Sequence, residues 1–164
     1  MDAELIELAG GLGRKLAALG AKIAVAESCT GGLIAQGITE IAGCSAWFDR
    51  GFITYSNTAK IQMLDVKLNT LESYGAVSAE IAQEMALGAI IKSEVDFSLA
   101  VTGIAGPGGG SKEKPVGTVY VAWAQKGGDC VWRKLNLIGD RHSIRLQTAK
   151  IALQYYFLND DLSL

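Results

Sequence analysis

The spacing of apolar positions divides the chain into short segments. Leu5, Leu8, Ala9, Leu12, Leu16 and Leu19 recur at helical intervals, with Glu7, Arg14 and Lys15 between them. This predicts a helix over 3–19, ended at Gly20. A short apolar run follows and predicts a strand over 21–26. Helical spacing returns at 31–42, with Leu33, Ile34, Ile38 and Ile41 inward and a stop near Gly43. Residues 44–49 read as a loop carrying Trp47 and Phe48, and 51–55 as a strand. Ser56 or Asn57 can cap a helix over 58–64, which places Tyr55 at a strand end and Lys60 in the first helical turns. A second short helix is expected over 68–74, stopped by Gly75. Ser78 can cap a longer one over 79–92, with Ile81, Ala82, Met85, Ala86, Ala89 and Ile90 inward. The run 96–101 is apolar throughout, as a strand covered on both faces would be. After a glycine-rich loop over 102–117, strands over 116–124 and 130–137 form a hairpin around Gly127-Gly128. Asp140 can cap a last helix to about residue 157, and the final residues are expected to fray.

Helices alternate with strands early, and a hairpin closes the series. The expected fold is a three-layer α/β/α sandwich around a mixed parallel/antiparallel sheet. No repeat or linker interrupts the pattern, so residues 1–164 are expected to form a single domain. Composition changes little in this picture. Apolar residues make up 49% and charged residues 20%, a globular balance, and the formal charge of −2 gives no broad positive field for nucleic acid. Three cysteines, Cys29, Cys44 and Cys130, and one histidine, His142, make a poor metal set and read as reduced thiols of a cytoplasmic protein. The acidic start Met1-Asp2-Ala3-Glu4 does not fit a signal peptide, and no apolar run approaches a membrane span.

Chemistry concentrates where strands end. At Val25-Ala26-Glu27-Ser28-Cys29-Thr30-Gly31-Gly32 a strand turns tightly into a helix, with Ser28 at the turn and the amides of Thr30, Gly31 and Gly32 at the helix start. Such amides attract anions, and a hydroxyl beside them suits phosphate binding or acyl transfer. Taken alone, Ser28 is more often a turn or cap residue. A serine nucleophile also needs a base, for which His142 or a lysine is available. A lysine serves only if its pKa falls from ~10.4 toward ~7–8, roughly 4 kcal/mol of differential stabilisation. Tyr55 taken alone is a half-buried strand aromatic. The loop Thr102-Gly103-Ile104-Ala105-Gly106-Pro107-Gly108-Gly109-Gly110 fits no standard nucleotide fingerprint, but its glycines permit close approach of backbone to a ligand. Arg141 and Arg145 share one helix face, as phosphate ligands or as solvated charges.

Together these stretches carry a resemblance that none carries alone. A-E-S-C-T-G-G (26–32), G-F-I-T-Y-S-N-T-A-K (51–60), G-A-V-S (75–78), G-I-A-G-P-G-G (103–109), K-P-V-G-T-V (114–119) and G-D-R followed by Arg145 resemble the nicotinamide-nucleotide amidase family, the stand-alone form of the C-terminal domain of competence/damage-inducible protein CinA. The nucleotide-binding domain that precedes it in full-length CinA proteins is outside the resemblance, so its hydrolase activity is not carried over. The resemblance implies deamidation of nicotinamide mononucleotide to nicotinate mononucleotide and ammonia in pyridine nucleotide recycling, an α/β/α fold, and a homodimer or larger homo-oligomer. It implies Ser28 as nucleophile assisted by Lys60 and Tyr55, with the lysine preferred to His142 as base. In that scheme amides from Cys29, Thr30, Gly31 and Gly32 hold the oxyanion. The loop residues Thr102, Gly103, Gly106 and Gly108, with Arg141 or Arg145, hold the ribose phosphate. No metal or cofactor is required, and neither nucleic acid nor a membrane is an expected partner. Two other readings stay open: a nucleotide-binding regulatory module without turnover, and a Ser28–His142 hydrolase of another amide or ester.

Overall fold

The computed structural model describes residues 1–158, and the expected fraying of the last residues falls on 159–164, outside that range. The elements are α1 (Ala3–Leu19), β1 (Ile23–Glu27), α2 (Leu33–Thr39), a 3-10 turn (Cys44–Ala46), β2 (Phe48–Ile53), α3 (Asn57–Leu64), α4 (Leu68–Tyr74), α5 (Ala79–Ser93), β3 (Phe97–Gly103), β4 (Thr118–Gln125), β5 (Cys130–Asn136) and α6 (Arg141–Leu158). The strands form one sheet in the order β2-β1-β3-β4-β5. Strands β2, β1 and β3 are mutually parallel, and β4 and β5 continue the sheet antiparallel. Helices cover both faces, so the fold is the expected α/β/α sandwich with a mixed sheet.

Side-chain size divides the two faces. Ile23, Val25, Phe97, Leu99, Val101, Val119, Val121 and Trp123 pack against α1, α2 and α6. The alternate positions Ala24, Ala26, Ala100, Ala122 and Ala124 face α5 and the smaller helices. Small residues let α5 approach closely, and Ser98 Oγ donates to the Ala86 carbonyl across that contact (2.6 Å). On the other face α6 is fastened by side chains. Trp123 Nε1 donates to Ala152 O (2.8 Å), and the Tyr156 hydroxyl donates to the Ser98 and Ala124 carbonyls (2.8 and 3.1 Å).

Gly20, Ser56 and Ser78 take the places the sequence gives them. Gly20 ends α1 at φ 64°, a left-handed conformation, and Asp2, not expected as a cap, accepts from Leu5 N at its start. Ser56 caps α3 and Ser78 caps α5. The differences lie around β2 and α2. Strand β2 begins at Phe48, not 51, because the segment read as a loop already pairs with β1. Helix α2 is shorter than 31–42, because Gly31 and Gly32 take positive φ before it and Gly43 does so after it. Strand β3 runs on to Gly103, which pairs with Val119, two residues into the expected loop. Among the described residues, no helix is long and apolar enough to cross a membrane.

Connections on opposite faces start from one end of the sheet. From the end of β1 the chain passes to α2 on the large-residue face. From the adjacent end of β2 it passes to α3 on the alanine face. Diverging loops leave a crevice at the carboxyl ends of parallel strands, where α/β sheets bind ligands. Ser28 leaves β1 there, and Tyr55 and Lys60 follow β2.

Candidate active site

The turn after β1 is built on a buried carboxylate. Glu27 is fully buried, and its two oxygens accept from Gly32 N (2.9 Å), Ile34 N (3.2 Å) and Ala35 N (2.8 Å). The start of α2 therefore holds an anion belonging to the chain itself. Gly31 N donates to Ser28 O (3.1 Å) and closes the turn. The amides of Gly31 and Gly32 are thus engaged, unlike the outward-facing donors the sequence suggests. Among the described residues, the amides of Cys29 and Thr30 donate no hydrogen bond. Sequence reading passed over Glu27 except as a motif letter. The available signal was an acid at a strand end directly before a glycine-rich helix start.

Ser28 extends the β1–β3 ladder by one rung through Ser28 N to Val101 O (3.1 Å). Its Oγ accepts from Lys60 Nζ at 3.0 Å. Lys60 is only 1% exposed and also donates to Thr54 O (2.9 Å). Thr54 N in turn donates to Glu27 O (2.8 Å), so the strand end holding the lysine is tied to the one bearing the serine. No carboxylate of the described residues forms an ion pair with Lys60.

Burial lowers the Lys60 pKa from its ordinary value, because the charged form loses water without gaining an anion. Cys29 in its thiolate form would oppose the shift. Burial pushes the Cys29 thiol up to about 12, however, so near neutral pH that thiolate is absent and desolvation decides.

Around the pair lies a pocket of about 220 Å³. Ser28 and Cys29 line it from the first strand end, Tyr55, Asn57 and Lys60 from the second, and Thr102, Gly103 and Ala105 from the third. Ala76 and Val77 close one side and Arg141 another. Thr102 Oγ1 donates to Ala76 O (2.8 Å) and fixes that wall. The Tyr55 hydroxyl accepts from Arg141 Nη2 (2.9 Å), and Arg141 Nη1 donates to Gly106 O (2.9 Å).

The structure thus gathers Ser28, Cys29, Tyr55, Lys60, Thr102, Gly103 and Arg141 around one pocket, with Gly106 behind Arg141. Thr30, Gly31, Gly32, Gly108 and Arg145 do not line it, and Arg145 instead bonds the Cys29 and Thr30 carbonyls. His142 is exposed and lies outside the lining. Asn57, Ala76, Val77 and Ala105 are lining residues that sequence reasoning missed. The motifs G-F-I-T-Y-S-N-T-A-K, G-A-V-S and G-I-A-G-P-G-G contained them without indicating that they meet.

A mixed α/β sheet with a serine hydrogen-bonded to a desolvated lysine at its switch point has the makings of an acyl-transfer site that uses no histidine. The chain belongs to the CinA C-terminal domain family, whose profile matches residues 6–158. Among similar proteins, the nicotinamide-nucleotide amidohydrolase PncC of Escherichia coli K12 is 50% identical over 93% of both chains. The protein of the same name from Enterobacter agglomerans is 53% identical over the same shares. A CinA-like protein of Geotalea daltonii is 53% identical over 94% of this chain but only 37% of its own length. Among solved structures, the competence/damage inducible protein CihA of Agrobacterium tumefaciens superposes with a TM-score of 0.92 at 47% identity, covering 94% of each chain.

Proposed function

We propose that this chain is a nicotinamide-nucleotide amidohydrolase that converts nicotinamide mononucleotide to nicotinate mononucleotide and ammonia through a serine acyl-enzyme. The observation that carries the reading is the 3.0 Å contact between Ser28 Oγ and a buried Lys60 Nζ that has no carboxylate partner among the described residues. The names of relatives at 50% identity and above supply the substrate class.

Neutral Lys60 takes the Ser28 proton as Oγ attacks the carboxamide carbon. Cys29 lines the pocket, and its amide is the donor left to hold the oxyanion, a role worth ~3–4 kcal/mol per donor where it has been measured. Collapse of the tetrahedral species passes the Lys60 proton to the departing nitrogen, and ammonia leaves. Water then gives a proton to Lys60 and attacks the acyl carbon, which releases nicotinate mononucleotide and restores Ser28. Thr54 O holds Nζ in place throughout.

The pocket is smaller than the ~300–1,000 Å³ usual for a drug-sized ligand, so it holds the nicotinamide end and leaves the phosphate at the rim. Arg141 lines that rim and is the phosphate ligand in this reading. Its bond to Tyr55 makes the tyrosine a holder of Arg141 rather than a proton relay. The protein acts in the cytoplasm in pyridine nucleotide recycling, as a homodimer or larger homo-oligomer.

Ammonia release from nicotinamide mononucleotide tests the proposal. Wild type turns over, Ser28→Ala loses at least ~10³-fold in kcat, and Ser28→Ala still binds the mononucleotide. Full activity in that variant would remove the nucleophile. No release by the wild type would leave a binding module without turnover.

A further inference from the structure

Arg145 stands behind the nucleophile turn. Its Nε donates to Cys29 O (3.1 Å) and its Nη2 to Thr30 O (2.6 Å), across more than a hundred residues of sequence. These are the carbonyls of the two residues that follow Ser28. Gly31 takes a φ of 60°, and a Cβ there would stand 3.5 Å from Arg145 Nη2. The guanidinium therefore sits directly against the turn, while Arg141, four residues earlier, reaches the pocket.

In a trans peptide the carbonyl and the N–H point opposite ways. The Cys29 carbonyl and the Thr30 N–H belong to one peptide, so fixing the carbonyl from behind fixes the N–H in the opposite direction. The Thr30 carbonyl shares its peptide with Gly31 N, which closes the turn on Ser28 O. That closure in turn orients the Ser28–Cys29 peptide and the Cys29 N–H. Thr30 is fully buried, and among the described residues its amide has no acceptor. Cys29 lines the pocket and, among the described residues, its amide likewise donates no hydrogen bond, so it is the donor that an acceptor in the pocket can reach. Two charge-assisted bonds in a rigid fork are well suited to hold this arrangement.

We propose that Arg145 is a positioning residue of the oxyanion site rather than a phosphate ligand. Through the turn it sets the peptide plane whose Cys29 N–H receives the developing charge, and it does not contact the nucleotide. The inference rests on the amidohydrolase reading and deepens it. It divides two arginines that the sequence left equivalent: Arg141 serves binding, and Arg145 serves the chemical step.

The experiment compares Arg145→Ala and Arg145→Lys with Arg141→Ala. It measures kcat for ammonia release from nicotinamide mononucleotide in each. It also measures Kd for the mononucleotide by calorimetry with each substitution placed on Ser28→Ala. Arg145→Ala is expected to lose ~10²-fold in kcat, the scale of a lost oxyanion donor, with Kd changed less than about threefold. Arg145→Lys keeps the charge but not the fork. It is expected to lose less kcat, again at constant Kd, and it carries the test if the alanine variant does not fold. Arg141→Ala is expected to raise Kd instead. A rise in Kd for the Arg145 variants that matches their loss of kcat/KM would make Arg145 a nucleotide ligand and overturn the proposal. An undiminished kcat would overturn it as well. Failure of the underlying reading is separate: it would appear as ammonia release that survives Ser28→Ala, whatever Arg145 does.

Discussion

Lys60 carries the cost of the site in its own protonation. In the unfolded chain it is an ordinary lysine, charged below ~10.4. In the fold, burial lowers that value. Between the folded value and ~10.4 the unfolded chain binds more protons, so stability rises with pH across that window, and below it Lys60 imposes its full desolvation penalty. Urea denaturation of wild type and Lys60→Met should therefore show the variant at its greatest relative advantage on the acid side. That advantage should shrink as pH climbs toward ~10.4, and a gap independent of pH would contradict the lowered pKa. In the proposed mechanism the neutral amine is the base, so kcat/KM is expected to rise with pH through the folded Lys60 pKa, below the ordinary lysine range. Cys29 shows the opposite shift. With its thiol pushed up to about 12 and buried, it should escape alkylation in the folded protein at pH 8, as mass spectrometry of labelled peptides can check. At this scale Ser28 and Lys60 were legible as candidate residues, and Glu27 only as a motif letter. The partners of Glu27 are backbone amides five to eight residues further on, and no side-chain pattern announces such a contact. The contacts of Arg145 were not readable for a related reason, since helical spacing gives the face a side chain shares and not what lies opposite.

Among the elements, α2 depends most on a single residue. It has seven residues, too few to persist alone, and Gly32 at its start offers no side-chain cap. The Glu27 carboxylate takes that place. Glu27→Ala leaves three amides without their acceptor and should destabilise the fold by about 1–3 kcal/mol or more, measured by urea denaturation. Turnover should fall with it, because the nucleophile turn lies between the carboxylate and its helix. Helix α5 makes a different demand. A Cβ on Gly88 would lie 2.1 Å from the Leu64 carbonyl at the end of α3. Gly88→Ala should cost about 1–3 kcal/mol and lower kcat, since relief of the clash displaces the helix bearing Lys60. The existence and type of most elements were readable because helical and strand periodicities are distinct. The start of β2 was not: Asp49 and Arg50 give an edge strand the polarity of a loop, and only pairing with β1 shows otherwise.

At the level of the whole molecule, the sheet order and the position of α6 decide what meets what. The mixed sheet and its helical layers followed from the alternation of patterns. The order β2-β1-β3 did not, although it is the order that brings Ser28 and Lys60 together. Helix α6 packs over the face opposite α5, and its buried attachment is separable from its catalytic edge. Tyr156→Phe removes a hydroxyl that serves the Ser98 and Ala124 carbonyls and should lower stability by about 1–3 kcal/mol while kcat stays within a few-fold of wild type. Loss of turnover beyond that would mean that the seat of the helix and the chemistry are coupled.

The contact between α6 and the Ser28 turn also sets an order in time. Ser28 and Lys60 lie in the first half of the chain and leave the ribosome well before residue 145. A nascent chain can bring the hydroxyl and the amine together while the carbonyls of Cys29 and Thr30 still lack the guanidinium that holds them. If Arg145 has the role proposed for it, catalytic competence waits for the docking of α6, long after the serine and the lysine have been made.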